Sequence, residues 1–179
     1  MNIAMTIIWS LAVFGKLNDF WLDIIFLYLA KSLLHFMFWL NLSKEPRYRI
    51  WAGYAFEAVC MKHIDQILKK LKVESLASEI GSWHYLPPKK SKETGAQIDL
   101  LIDRIDNSIN VCEIKFSNRQ YSIDKNYARN LDNKVKVFEE KTGTKKQIFL
   151  SMITTIGLKK NFYSEDLVDS EVVLKDLII

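Results

Sequence analysis

The sequence predicts an α/β domain behind an apolar helical leader, and three observations carry that reading. Apolar residues recur at helical spacing over residues 48–71 and 123–141. Short runs rich in β-branched and aromatic residues occupy 76–86, 96–104, 109–116 and 147–155. A connection as short as "DNS" between the second and third runs favours an antiparallel hairpin. The predicted order is helix, three-stranded meander, helix, strand. With 179 residues, six Gly and three Pro, the chain suffices for one core, or one domain plus a small appendage.

Residues 1–46 form the leader. "IAMTIIWSLAVF" (3–14) and "FWLDIIFLYLAKSLLHFMFWL" (20–40) are almost wholly apolar, and the second is long enough to span a bilayer. Its Leu, Ile and Phe residues favour insertion by about 6 kcal/mol, while Asp23 and Lys31 oppose it by about 5–7 kcal/mol. The terms cancel, so the leader is expected as one or two helices packed on the domain or on a protein partner. Membrane contact is the alternative. A cleaved signal fits less well, since no basic residue precedes the apolar run and no small-x-small site follows it.

"SKEPRYR" (43–49) is the predicted joint, and residues 47–179 form the second domain. A helix over Tyr48–Leu71 carries Ile50, Tyr54, Met61, Ile64, Leu68 and Leu71 on one stripe. Trp51, Tyr54 and Phe56 are expected to pack it on the sheet. Glu57 lies on the same stripe, where a carboxylate is out of place for a simple amphipathic helix. Residues 76–86 read as a strand with Gly81 at a bend or bulge, and "PPKKSKETG" (87–95) as an exposed basic loop. The strands 96–104 and 109–116 follow, then a helix over 123–141 with Asp124 near its start. "QIFLSMITT" (147–155) reads as a central strand, and the tail as a short strand near Glu171–Leu174 with a final turn.

Net charge is +4, and residues 1–42 balance to zero, so the second domain holds the whole basic excess. That permits contact with DNA without requiring it. Lys89, Lys90, Lys92, Lys145, Lys146, Lys159 and Lys160 cluster in expected loops, suited to a phosphate backbone or simply to solvent. Cys60 and Cys112 lie far apart in apolar contexts and read as reduced core thiols of a cytoplasmic protein. His35, His63 and His84 have no metal-ligand spacing, and no GxxxxGK[ST] loop is present.

The hairpin "GAQIDLLIDRIDNSINVCEIKFS" places Asp99, Glu113 and Lys115 on strands expected to be half buried. Alternation sends Glu113 and Lys115 to one face and Cys112, Ile114 and Phe116 to the other. On the partner strand, Gln97 and Asp99 oppose Ile98, Leu100 and Ile102. Pairing Asp99 with Glu113 converges two carboxylates, which is costly unless a cation joins them. Mg²⁺, with Mn²⁺ as substitute, takes few protein carboxylates and keeps water and phosphate oxygens. A nearby lysine suits phosphodiester hydrolysis. A structural ion pair at a sheet edge is the other reading of such a triplet. Gln97, Tyr127 and Lys134 are further candidates to face the cleft, against an ordinary core or surface role.

"QIDLLIDR" with "CEIKFS", in this order of elements, resembles the core of the PD-(D/E)XK nuclease superfamily, a restriction-endonuclease-like fold. Ile98 stands where the nominal Pro would be. "WAGYAFEAVCMKHIDQI", "GAQIDLLIDR", "VCEIKFSN" and "ITTIGLKKN" look like the C-terminal nuclease-like domain of a group of prokaryotic AAA+ type ATPases, here without the ATPase module. The resemblance implies metal-dependent hydrolysis of DNA, with Asp99, Glu113 and Glu57 around the metal and Lys115 beside the attacking water. It also implies an alternative: a non-catalytic interaction or DNA-binding module that docks an AAA+ ATPase through residues 1–46.

Overall fold

The structure is a computed structural model that describes residues 29–34, 41, 45–89, 91 and 93–178. The expectations for the rest of the leader, for His35 and for Lys90 and Lys92 lie outside these residues. The chain divides into two units, Met1–Arg49 and Ile50–Ile179. In the first, residues 29–34 are helical. Among the described residues no helix is long and apolar enough to cross a membrane.

The second unit is built on a five-stranded mixed sheet of order β1-β2-β3-β4-β5. Its strands are β1 (Ala77–Tyr85), β2 (Ala96–Arg104), β3 (Ser108–Lys115), β4 (Gln147–Thr154) and β5 (Ser170–Val173). The helices are α1 (Pro46–Lys62), α2 (Ile64–Leu71), α3 (Lys125–Thr142) and α4 (Phe162–Leu167), followed by a 3₁₀ turn at Leu174–Leu177. β1, β2 and β3 form the antiparallel meander. β3, β4 and β5 run parallel, and α3 supplies the crossover that a β3–β4 parallel pair requires. The α/β class and the order helix, meander, helix, strand are those read from the sequence. β4 is an interior strand, one place from the centre, which β3 holds.

Two apolar layers flank the sheet. On one face Phe56, Cys60, Ile67 and Leu68 from α1 and α2 pack with Leu100, Ile102, Cys112 and Ile114. On the other, Ala128, Leu131 and Phe138 of α3 pack with Ile98, Val111, Leu150 and Met152. β3 is covered on both faces and buried almost throughout, although Ser108, Asn110 and Glu113 interrupt its apolar residues, so those polar side chains must find partners inside the fold. Cys60 and Cys112 are free and buried, and burial pushes both thiols up to about 12.

The helix expected over 48–71 is two helices, broken at His63, which adopts a non-helical φ of −109° and ψ of 35°. The break changes the phase of the apolar pattern. Ala52, Phe56 and Cys60 form the buried line of α1, one helical turn apart. Ile50, Trp51 and Tyr54 lie on the exposed side, correcting the expected packing of Trp51 and Tyr54 against the sheet; Phe56 alone of that trio is buried. The buried line thus pairs one large residue, Phe56, with small Ala52 and Cys60, and a count of large apolar residues puts the stripe on the wrong side. Glu57 follows Phe56 at the margin of this line and is half buried.

β2 departs from strict alternation. Gly81 pairs with Leu101 but Trp83 pairs with Ile98, so β2 carries an extra residue opposite Ser82. Ile98 therefore joins the α3 layer, whereas Leu100 and Ile102 join the α1–α2 layer. The expectation that all three share one face fails because a bulge resets the period-two count.

Candidate functional site

The bulge and the end of a ladder coincide at Asp99. The β2–β3 pairing runs from Asp103–Ile109 to Leu100–Cys112 and stops one residue short of Asp99–Glu113. Ile114 N–H instead donates to Asp99 Oδ2 at 3.0 Å. The carboxylate takes the place of a backbone acceptor, which keeps a buried amide satisfied where the strands part. Gln97 Nε2 donates to the other oxygen, Oδ1, at 3.4 Å.

Glu113 lies on β3 facing α3, with its side chain only 3% exposed. Both oxygens are engaged. Oε1 lies 2.7 Å from Lys115 Nζ and accepts a hydrogen bond from the Tyr127 hydroxyl at 2.9 Å. Oε2 lies 2.6 Å from Lys134 Nζ. Tyr127 and Lys134 stand seven residues apart on α3, two turns, and so share the face that lies over β3. Asp124 caps that helix by accepting from Tyr127 N–H at 2.8 Å, which fixes its first turn beside the site.

Lys115 joins the two carboxylates. Its Nζ is 2.7 Å from Glu113 Oε1 and 3.9 Å from Asp99 Oδ2. One ammonium reaches both, so the two oxygens are no farther apart than those contacts laid end to end. Glu57, on α1, feels the fields of Asp99, Lys115 and Glu113. Among the described residues, no three His, Cys, Asp or Glu side chains gather closely enough to hold a metal ion. Glu57 is thus an electrostatic neighbour of the Asp99–Glu113 pair rather than a third member in contact.

The charges respond to this arrangement in different directions. Burial, then the Glu113 charge, pushes the Asp99 carboxyl above its ordinary value, against the Ile114 hydrogen bond and Lys115. Burial also pushes Glu113 up, but the Lys115 and Lys134 ammoniums outweigh it and hold that carboxyl below the usual range. Burial opposes the charge on Lys115, and the Glu113 carboxylate more than restores it, so Lys115 is a firmly protonated cation. Burial and the Asp99 charge raise the Glu57 carboxyl.

A family profile described as DUF234, archaeal and bacterial proteins of unknown function, matches residues 35–131. The chain belongs to the DUF234 family. Glu57, Gln97, Asp99, Glu113, Lys115 and Tyr127 of the DUF234 domain all fall within the matched stretch, while Lys134 and strands β4 and β5 lie beyond it. A search of the curated proteins finds no match, and neither does a search of the solved structures.

Of the residues singled out in the sequence, the structure gathers Asp99 and Glu113 around Lys115, at 3.9 and 2.7 Å, with Gln97 bonded to Asp99 and Tyr127 and Lys134 bonded to Glu113. Glu57 is near without touching. His63 sits at the α1–α2 break and His84 on β1. Sequence reasoning passed over Tyr121, whose ring meets that of Tyr127 edge-on at 5.3 Å. The signal was present: Tyr121 and Tyr127 bracket the Asp124 cap in "YSIDKNY".

Proposed function

We propose that the DUF234 domain hydrolyses DNA phosphodiester bonds at a PD-(D/E)XK-type site that uses a divalent ion, Mg²⁺ or Mn²⁺. The observation that carries the reading is the contact of one ammonium, Lys115, with carboxylates from two strands, at the point where their ladder opens. Asp99 and Glu113 would hold the ion. Their hard oxygen donors suit Mg²⁺, which is satisfied by two carboxylates with water and phosphate oxygens completing its shell. Bound there, the ion would supply Lewis-acid stabilisation of phosphate charge and a more acidic water.

The protein's own groups then have separable tasks. Lys115, held as an ammonium, offsets phosphate charge and orients the attacking water by donating a hydrogen bond to it. A protonated lysine is an electrostatic stabiliser here rather than a base. Tyr127 and Lys134 fix the Glu113 carboxylate so that it does not swing away as charge changes beside it. Glu57 accepts hydrogen bonds from water on the side facing α1. Burial of Asp99 and Glu113 strengthens each of these interactions relative to open water.

Purified protein, Asp99→Ala and Lys115→Ala are to be incubated with plasmid and Mg²⁺ or Mn²⁺. The wild type should nick or linearise the plasmid, and each variant should lose at least about 100-fold in rate. Equal cutting by all three preparations would trace the activity to contamination and remove the proposal.

A second reading has its own support. Glu113 is neutralised by two lysines without any metal, as in a purely structural ion cluster. On that reading the domain is a non-catalytic nuclease-fold module for a DNA or an AAA+ ATPase partner. The same plasmid experiment separates the two, since a module of this kind leaves DNA intact.

A further inference from the structure

A cavity of about 460 Å³ opens beyond the candidate site and is lined by Ser117, Arg119, Gln120, Tyr121, Ser122 and Lys159. Its position follows from topology. β3 and β4 run parallel and end together at Lys115 and Thr154, so the segments that leave them meet at one rim. Ligands of open α/β sheets favour such carboxyl ends. The rim is tied in place. Ser117 N–H donates to Thr155 Oγ1 at 3.0 Å. Tyr121 N–H donates to the Gly157 carbonyl, and Lys159 N–H to the Tyr121 carbonyl, each at 2.8 Å.

The lining has the chemistry of an anion seat. Arg119 and Lys159 form no ion pair among the described residues, whereas Lys115 and Lys134 are both spent on Glu113. No carboxylate lines the cavity. The hydroxyls of Ser117 and Ser122 and the amide of Gln120 add neutral donors. A guanidinium and an ammonium with hydroxyl donors match an anion such as a phosphodiester better than a cationic or apolar ligand. Tyr121 connects this cavity to the candidate site, because its ring contacts Tyr127, which donates to Glu113.

We propose that this cavity seats a phosphate of a DNA strand, next to the one engaged by Asp99, Glu113 and Lys115, with Arg119 and Lys159 as its cationic contacts. The assignment rests on the hydrolytic reading for the neighbouring phosphate, but the cavity binds its own phosphate without a metal. Arg119 and Lys159 act as positioning residues that set where along a strand the reacting bond lies.

The test is fluorescence-anisotropy binding of a labelled 20-base-pair duplex in EDTA across a NaCl series. The proteins are wild type, Arg119→Gln/Lys159→Gln, and Lys69→Gln/Lys72→Gln, an equal charge loss at the end of α2. Plasmid cutting in Mg²⁺ is measured in parallel. The cavity pair should weaken binding about tenfold or more and lower the salt slope by about one, the effect of one lost phosphate contact. The α2 pair should change binding less than threefold. Lys159→Arg, which keeps the charge, should bind as wild type does. Equal weakening by both double variants, an unchanged slope, or no duplex binding by wild type overturns the seat. These outcomes stand apart from the hydrolytic reading: site-specific binding without cutting supports the seat while removing hydrolysis, and cutting that is indifferent to the Arg119/Lys159 pair does the reverse.

Discussion

Lys134 Nζ lies 2.6 Å from Glu113 Oε2, joining the middle of α3 to the central strand across one layer of the fold. The contact sets a buried carboxylate against a partner 21 residues away, beside a second ammonium from its own strand. Buried charges are stable only when paired, so this bond fixes the helix as much as the site.

Lys134→Met should therefore destabilise the domain by about 1–3 kcal/mol, because Lys115 alone is left to balance Glu113. Glu113→Gln/Lys134→Met should be less damaging than the sum of the single changes, since it removes charge and countercharge together. Urea unfolding of the four proteins measures the coupling. Additive losses would mean that the ion pair is only geometric.

Asp99 should behave in the opposite way, as a group that costs stability. Burial and the Glu113 charge raise its carboxyl in the fold, so the folded state prefers the protonated form. For a raised carboxyl the favourable contribution is present below the unfolded pKa, about 3.9, and is lost as pH climbs through the folded value. Asp99→Asn keeps an acceptor for Ile114 N–H and removes the charge. At pH 7 it should be more stable than wild type, and the gain should shrink towards zero in acid below about pH 4. Thermal unfolding across pH 3.5–8 reads both, and a variant less stable than wild type at pH 7 contradicts the assignment.

Gly157 holds the turn after β4 with φ at +113°, where an L side chain is strained. A Cβ there would also lie 3.3 Å from Glu171 Oε1, which accepts the neighbouring Leu158 N–H. Gly157→Ala should cost about 1–3 kcal/mol and loosen the segment at Tyr121, whose N–H donates to the Gly157 carbonyl. Hydrogen exchange at Tyr121, with urea unfolding, checks both halves. An unchanged Tyr121 amide would separate the turn from the rim.

Much of this was legible in sequence because it is local. Asp124 near the start of its helix, the antiparallel hairpin of 96–104 with 109–116 and the ExK spacing of Glu113 and Lys115 need only local pattern and turn chemistry. What escaped depends on tertiary pairing. Gly81 marked a bend or bulge on β1, and the register shift does fall between Gly81 and Trp83, but that the extra residue sits on β2 beside Asp99 is a property of the pairing and not of either strand alone. The buried line of α1 runs through Ala52 and Cys60, which a search for large apolar residues overlooks. α4 is six residues long, too short to show a period, and its Asn161–Ser164 capping box has Ser where the usual signature has Glu or Gln. Lys134 was a candidate by its place on α3, but only packing aims it at Glu113.

The most direct measurement of the central claim is a crystal structure of the protein soaked in Mn²⁺, with anomalous scattering to locate the ion. The account predicts one manganese peak coordinated by oxygens of both Asp99 and Glu113, with Lys115 Nζ displaced from Glu113, and no peak there in Asp99→Ala. Density showing Glu113 still closed on Lys115 and Lys134 with no manganese at the pair, at millimolar Mn²⁺, would contradict it.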